Sequence, residues 1–176
     1  MIVGGYFPKR ITPKPETMAA PLVHEICSVS GCISAGPDDW VKIWLHNWWG
    51  WFNRVSHALK AVPPADTSKY RIFAYSLYPE FFRKGKSVSV RVPDDVKPEP
   101  LHDDFQSIGF DAASKSMETI LGFECSPLSC NSMAVELDVN EFCLFPTLED
   151  AIAGAKRFSE EEPEPGDYYV IEVLQR

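Results

Sequence analysis

No run of apolar residues in this chain is long enough to span a bilayer, and its first ten residues lack the basic start and extended apolar stretch of a secretory leader. The expectation is therefore a cytoplasmic protein without a membrane partner, its cysteines reduced. Basic residues are in short supply too: 17 Lys and Arg stand against 25 Asp and Glu, for a formal charge of −8. Nucleic-acid binding is dominated by cationic contacts to phosphate, so such a ligand is not expected. Phosphate-cradling glycine loops are missing as well, because Gly4-Gly5 precedes Pro8 and opens no helix. There is no internal repeat and no sign of a second core. The 176 residues suit one domain, 1–176, large enough to bury roughly 70% of its unfolded surface without a metal or disulfide staple.

What is present is unevenly placed. All five tryptophans lie between Trp40 and Trp51. Asp38 and Asp39 offer an N-cap, and Trp40, Trp44 and Trp48 recur every four residues beside Val41 and Leu45, which predicts a helix with three rings on its core stripe. Gly50 would end it, and a second helix capped by Ser56 through Val62 would complete a helical hairpin. A stripe covers only part of a helix, so Trp49, Trp51 and Phe52 are expected nearer the surface, unless the loop from Pro8 to Pro21 folds over them.

Strands are predicted at 2–7, ending at Pro8, and at 70–78, 87–92 and 107–114, from β-branched and aromatic content or period-two alternation. Residues 132–137 read equally as helix or strand, and 142–145 as a buried strand. Thr147 caps the clearest helix, with Asp150 three residues on and Leu148, Ala151, Ile152, Ala155 and Phe158 along one face. A final strand follows at 168–174. The order predicts an α+β domain with a mostly antiparallel sheet.

Two segments share the pattern Cys-Ser-x-x-x-Cys: Cys27 to Cys32 and Cys125 to Cys130. If the loops met, they could offer four thiolates to zinc, with His24 or Cys143 as substitutes. The five-residue step is looser than the tight pairs of common zinc sites, and thiols without metal are the favoured reading. A catalytic thiol would need a base, and His24, His46, His57 and His102 are available. The loop 123–131 is the best candidate first contact shell, since it gathers Glu124, Cys125, Ser126, Ser129, Cys130 and Asn131.

The stretch Leu144-Phe145-Pro146-Thr147-Leu148-Glu149-Asp150-Ala151-Ile152-Ala153-Gly154-Ala155-Lys156, followed by Tyr168-Tyr169-Val170-Ile171-Glu172-Val173, resembles the later part of ADP-ribosyltransferase-fold proteins of the small rifampicin-modifying kind. The resemblance implies a split, mostly antiparallel sheet around an NAD-binding cleft. Arg71 or Tyr75 would contribute from an earlier strand, and Glu124, Cys125, Asn131 or Glu172 would do the chemistry.

The leading expectation is nevertheless a protein-binding module, an immunity- or antitoxin-type inhibitor that masks a basic partner. Asp38, Asp39 and Glu160 to Glu162 would steer the encounter, and Trp48, Trp49, Trp51 and Phe52 would anchor it. No cofactor is expected on that reading; NAD belongs to the enzyme alternative and zinc to the cysteine loops.

Overall fold

The computed structural model describes residues 1–116 and 122–176. Five antiparallel strands form one sheet: β1 (Ile2–Arg10), β2 (Tyr70–Arg83), β3 (Lys86–Ser89), β4 (Gln106–Lys115) and β5 (Asp167–Gln175). Their order is β1-β2-β5-β4, with β3 a hairpin return on the far end of β2. Among the described residues, three α-helices accompany them, α1 (Val55–Ala61), the single turn α2 (Pro127–Cys130) and α3 (Leu148–Glu161). The chain is thus a single α+β domain.

β1 runs straight through Pro8, where the sequence predicts its end. Proline lacks a ladder N–H, and an edge strand tolerates that loss: β2 is the strand beside β1, with Pro8 opposite Ile72, and the outer side of β1 carries an isolated bridge from Tyr6 to Phe52. α3 follows its sequence signals closely. Thr147 Oγ1 accepts from the Asp150 N–H at 3.1 Å and donates to the Asp150 carboxylate at 2.6 Å. Ala151, Ala155 and Phe158 then face the sheet, where they meet Ala112, Tyr168 and Val170. Gly154 is required by close approach, since a Cβ there would lie 2.4 Å from the Phe145 ring.

The opposite sheet face carries the other half of the domain's core, with Phe73, Tyr75, Leu77, Ile171 and Val173, so one sheet is buried on both sides. Here the tryptophan segment departs from the predicted hairpin. Only a 3-10 turn forms, at Trp40–Ile43, because Asp39 and Trp44 both sit in the left-handed region with φ of 62° and 54°. The next residues are organised by Asn47, whose Oδ1 accepts from the N–H groups of Trp49 at 3.0 Å and Trp51 at 3.3 Å. Its Nδ2 donates to Gly4 O at 2.9 Å, which ties this turn to β1.

That turn inverts the expected burial. Trp49 and Trp51 are 3% exposed and Phe52 is fully buried, whereas Trp44 is 78% and Trp48 48% exposed and Trp40 is half-buried. The cover over Trp49 and Trp51 is Phe123 together with Tyr75 and Tyr169, in stacked, tilted and edge contacts. The loop proposed to cover them packs elsewhere, since Met18, Ala20 and Val23 join the α3 face. Gly4 is glycine because the Trp51 ring lies where its Cβ would be, 2.3 Å away.

Other local expectations shift as well. α1 starts after Arg54 rather than at Ser56, and the Glu99 carboxylate accepts from its first N–H, Val55, at 2.7 Å. Residues 142–145 form no strand; Cys143 is left-handed and only Phe145 bridges to β4, at Phe110. Met133–Val135 is a 3-10 turn.

Burial of tyrosine gives this fold an alkaline limit. Desolvation is the main cause that pushes the hydroxyls of Tyr6, Tyr168 and Tyr169 up to about 12, and fully buried Tyr75 well above its ordinary value of 10.0. An unfolded chain loses those protons near pH 10 while the folded chain keeps them. The linked stability is intact below pH 10 and is lost as pH rises through 12. The urea midpoint is expected to fall across that window, and a flat midpoint would contradict the burial of these rings.

Candidate thiol site and its buried clamp

The loop 27–34 lies across the tryptophan face of the sheet, where Cys27 and Val29 join the core. Each edge strand holds it with one buried charge. From β1, the fully desolvated Lys9 ammonium donates to the carbonyls of Ser28, Val29 and Ser34 at 2.8 Å, and to that of Ser30. An ammonium has only three hydrogens, so these four acceptors surround it. From β4, Asp111 accepts at Oδ2 from Ser28 Oγ at 3.0 Å and from the Val29 N–H at 2.8 Å.

Asp111 also reaches the second cysteine segment. Its Oδ1 accepts from Ser126 Oγ at 2.6 Å and from the Ala112 N–H at 2.9 Å. The serine that follows the first cysteine in each Cys-Ser-x-x-x-Cys segment therefore binds the same carboxylate. One buried aspartate ties together two loops about a hundred residues apart. Desolvation pushes the Asp111 pKa up, against these hydrogen bonds, and burial pulls Lys9 down to about 7, against the attraction of Asp111. The Asp111 charge partly offsets the burial of Lys9, while Asp111 itself is compensated by its hydrogen bonds.

As a result Cys32, Cys125 and Cys130 converge, with all three sulfurs within 4.8 Å of one another. Cys32 Sγ lies 3.8 Å from Cys125 Sγ and donates to Glu124 O at 2.9 Å. Cys130 ends α2, its N–H bonded to Ser126 O at 2.9 Å, and its sulfur is 3.8 Å from Ser30 Oγ. Hydrogen bonding from Cys125 is the main cause that lowers the Cys130 pKa to about 6; the same bond is the main cause that raises Cys125. Desolvation raises Cys32. Among the three, the downward shift falls on Cys130, the thiol most readily ionised. The sequence offers Cys125 as one of four candidates, with Glu124, Asn131 and Glu172; the lowered pKa favours its neighbour Cys130 as the nucleophile.

Cys27 stays outside the trio. It is buried against Glu25, 3.6 Å away, and desolvation pushes its pKa up. Cys143 is buried, and no histidine joins the three sulfurs among the described residues. Asn131 Oδ1 lies 4.0 Å from Cys125 Sγ. The Glu124 carboxylate accepts from the Ser116 hydroxyl, and its N–H donates to Ser114 O at 2.9 Å, which stitches the 123–131 loop to the end of β4.

Residues singled out through the enzyme resemblance are dispersed. Arg71 is engaged by the Glu25 carboxylate at 2.8 Å and by Gln175 at 3.1 Å, and Tyr75 is fully buried. Glu172 lies on β5 opposite Ser76 and Phe110, four positions from Tyr168, the partner of Ser114. That separation is about 13 Å along the strand. A cleft of about 130 Å³ does open between Phe7, Trp40, Trp51 and Phe123, with Lys9 and Gly31 in its wall. It is smaller than the roughly 300 Å³ at which small-molecule pockets begin.

Neither Asp111 nor Lys9 stood out in the sequence, although a signal existed for the first. Asp111 is a lone charge inside the 107–114 strand pattern, and such a charge needs a partner when buried; Lys9, beside Arg10 and beyond the predicted end of its strand, carries no such mark. Asp111→Ala would strip acceptors from Ser28, Val29 and Ser126 and remove a negative charge that favours the Lys9 ammonium. It is expected to cost about 3–5 kcal/mol in urea unfolding, whereas a loss below about 1 kcal/mol would show that the carboxylate does not clamp the loops.

Compared with known proteins, the chain matches no family model, no curated protein and no solved structure.

Proposed function

We propose that this chain is a protein-binding module, of the small inhibitor or immunity kind, acting in the cytoplasm on a basic partner. The observation that carries the reading is the exposure of Trp44, 78%, next to Val41 and Leu45 at 38% and 40%. A large ring kept in water by a left-handed backbone contributes little to folding, and it is the kind of group that anchors protein interfaces. Trp48 adds a second exposed ring, beside a hollow of about 580 Å³ lined by Arg91, Val92, Pro93 and Asp94. That hollow could receive a partner side chain. The Lys115 ammonium lies 5.9 Å from the Trp48 ring centroid, which helps hold the ring in place.

The interface so proposed differs from the one read off the sequence. Trp49, Trp51 and Phe52 are core residues and are not available to a partner. Trp44 takes their place, and Trp48 remains. Asp38 and Asp39 are exposed beside it, with Asp39 held by Lys42 at 2.8 Å. The overall charge of −8 favours encounter with a basic surface.

The two halves of the tryptophan segment are separable by mutation. Trp44→Ala and Trp48→Ala are expected to change unfolding free energy by less than about 0.5 kcal/mol, while Trp49→Ala or Trp51→Ala should cost about 3–5 kcal/mol. A protein retained from the native lysate by the unaltered chain, and lost when Trp44 and Trp48 are both alanine, would support the reading. Identical retention by the folded double variant would overturn it.

A further inference from the structure

We propose that Cys32, Cys125 and Cys130 form a three-thiolate site for one Zn²⁺ ion, with the fourth coordination position open to solvent beside Cys32. Tetrahedral zinc with Zn–S bonds of about 2.3 Å places neighbouring sulfurs about 3.8 Å apart. Cys32 and Cys125 already have that separation, 3.8 Å, and no pair in the trio exceeds 4.8 Å. Side-chain rotation alone closes the remaining gap.

The second support is that the loops are held without the metal. Lys9 fixes four carbonyls of the Cys32 loop, and Asp111 fixes one serine on each loop. Three convergent sulfurs are therefore presented by a backbone already positioned, which lowers the ordering cost of binding. An all-sulfur set selects a thiophilic ion such as zinc over magnesium or calcium, which take oxygen. Three thiolates and Zn²⁺ carry one net negative charge, and the Lys9 ammonium, which reaches the Cys32 loop from β1, is electrostatically coupled to Cys32 and Cys130.

Geometry also assigns the ligands among the five cysteines. Cys27 faces Glu25 and stays out of reach, so the repeated motif contributes both of its last cysteines but only one of its first. Cys32 is exposed, which puts the open position on the solvent side. A disulfide could use only two of the three sulfurs and leaves the third unexplained.

The test uses the full chain, purified reduced and without chelator, titrated anaerobically with Co²⁺ and then Zn²⁺. The expected result is one Co²⁺ per chain with sulfur-to-cobalt charge-transfer absorption, displaced by one Zn²⁺, and a melting temperature raised by zinc. Cys32→Ser, at an exposed position that a serine fits, should abolish the band while the near-ultraviolet dichroism of Trp49 and Trp51 stays unchanged. Cys27→Ala should keep the band. Absence of the band in the reduced chain, or its survival in Cys32→Ser, would overturn the proposal. Trp44→Ala should leave metal binding intact, so this site and the proposed partner surface stand or fall separately.

Discussion

Much of the tryptophan side of this protein depends on one buried carboxylate. Asp111 sits on an edge strand with no access to water, and an isolated charge there would be too costly to keep. Four hydrogen-bond donors make it tolerable. Because two of those donors are the serines of separate cysteine segments, satisfying the charge also decides where both segments go. The convergence of three thiols is a consequence of solving that electrostatic problem.

Lys9 acts from the other edge of the sheet. By collecting carbonyls from Ser28 to Ser34 it turns a loop that has no regular hydrogen-bond ladder into a rigid strap. The strap packs Cys27 and Val29 into the same core that encloses Trp49, Trp51 and Phe52. Polar clamp and aromatic core thus reinforce each other. The first fixes the loops over the sheet, and the second, with Phe123 contributed by the other clamped segment, seals the rings beneath.

The parts of the fold that were legible in the sequence are those where one local signal decides the outcome. Thr147 and Asp150 cap α3, its apolar stripe faces the sheet, and the alternating or β-branched runs became strands of an antiparallel α+β sheet. The tryptophan segment was misread because Trp40, Trp44 and Trp48 satisfy helical spacing by count alone. The deciding features were backbone ones: left-handed residues at Asp39 and Trp44, and an asparagine, Asn47, that takes two N–H groups from the chain that follows. Neither leaves a period in the sequence. The cysteine repeat was visible and its loops do meet, yet which cysteines face one another depends on Asp111, a contact eighty-three residues from Ser28. Contacts of that range are set by tertiary packing, and no spacing rule along the chain encodes them.

The central claim is that the two Cys-Ser segments are clamped together so that Cys32 faces the second segment and Cys27 does not. Brief oxidation of the native chain with diamide, followed by peptide mapping of the disulfides by mass spectrometry, tests it directly. The account predicts that Cys32 is joined to Cys125 or Cys130 and that Cys27 stays free. A Cys27–Cys32 link within the first loop, or Cys32 left unjoined, would contradict it.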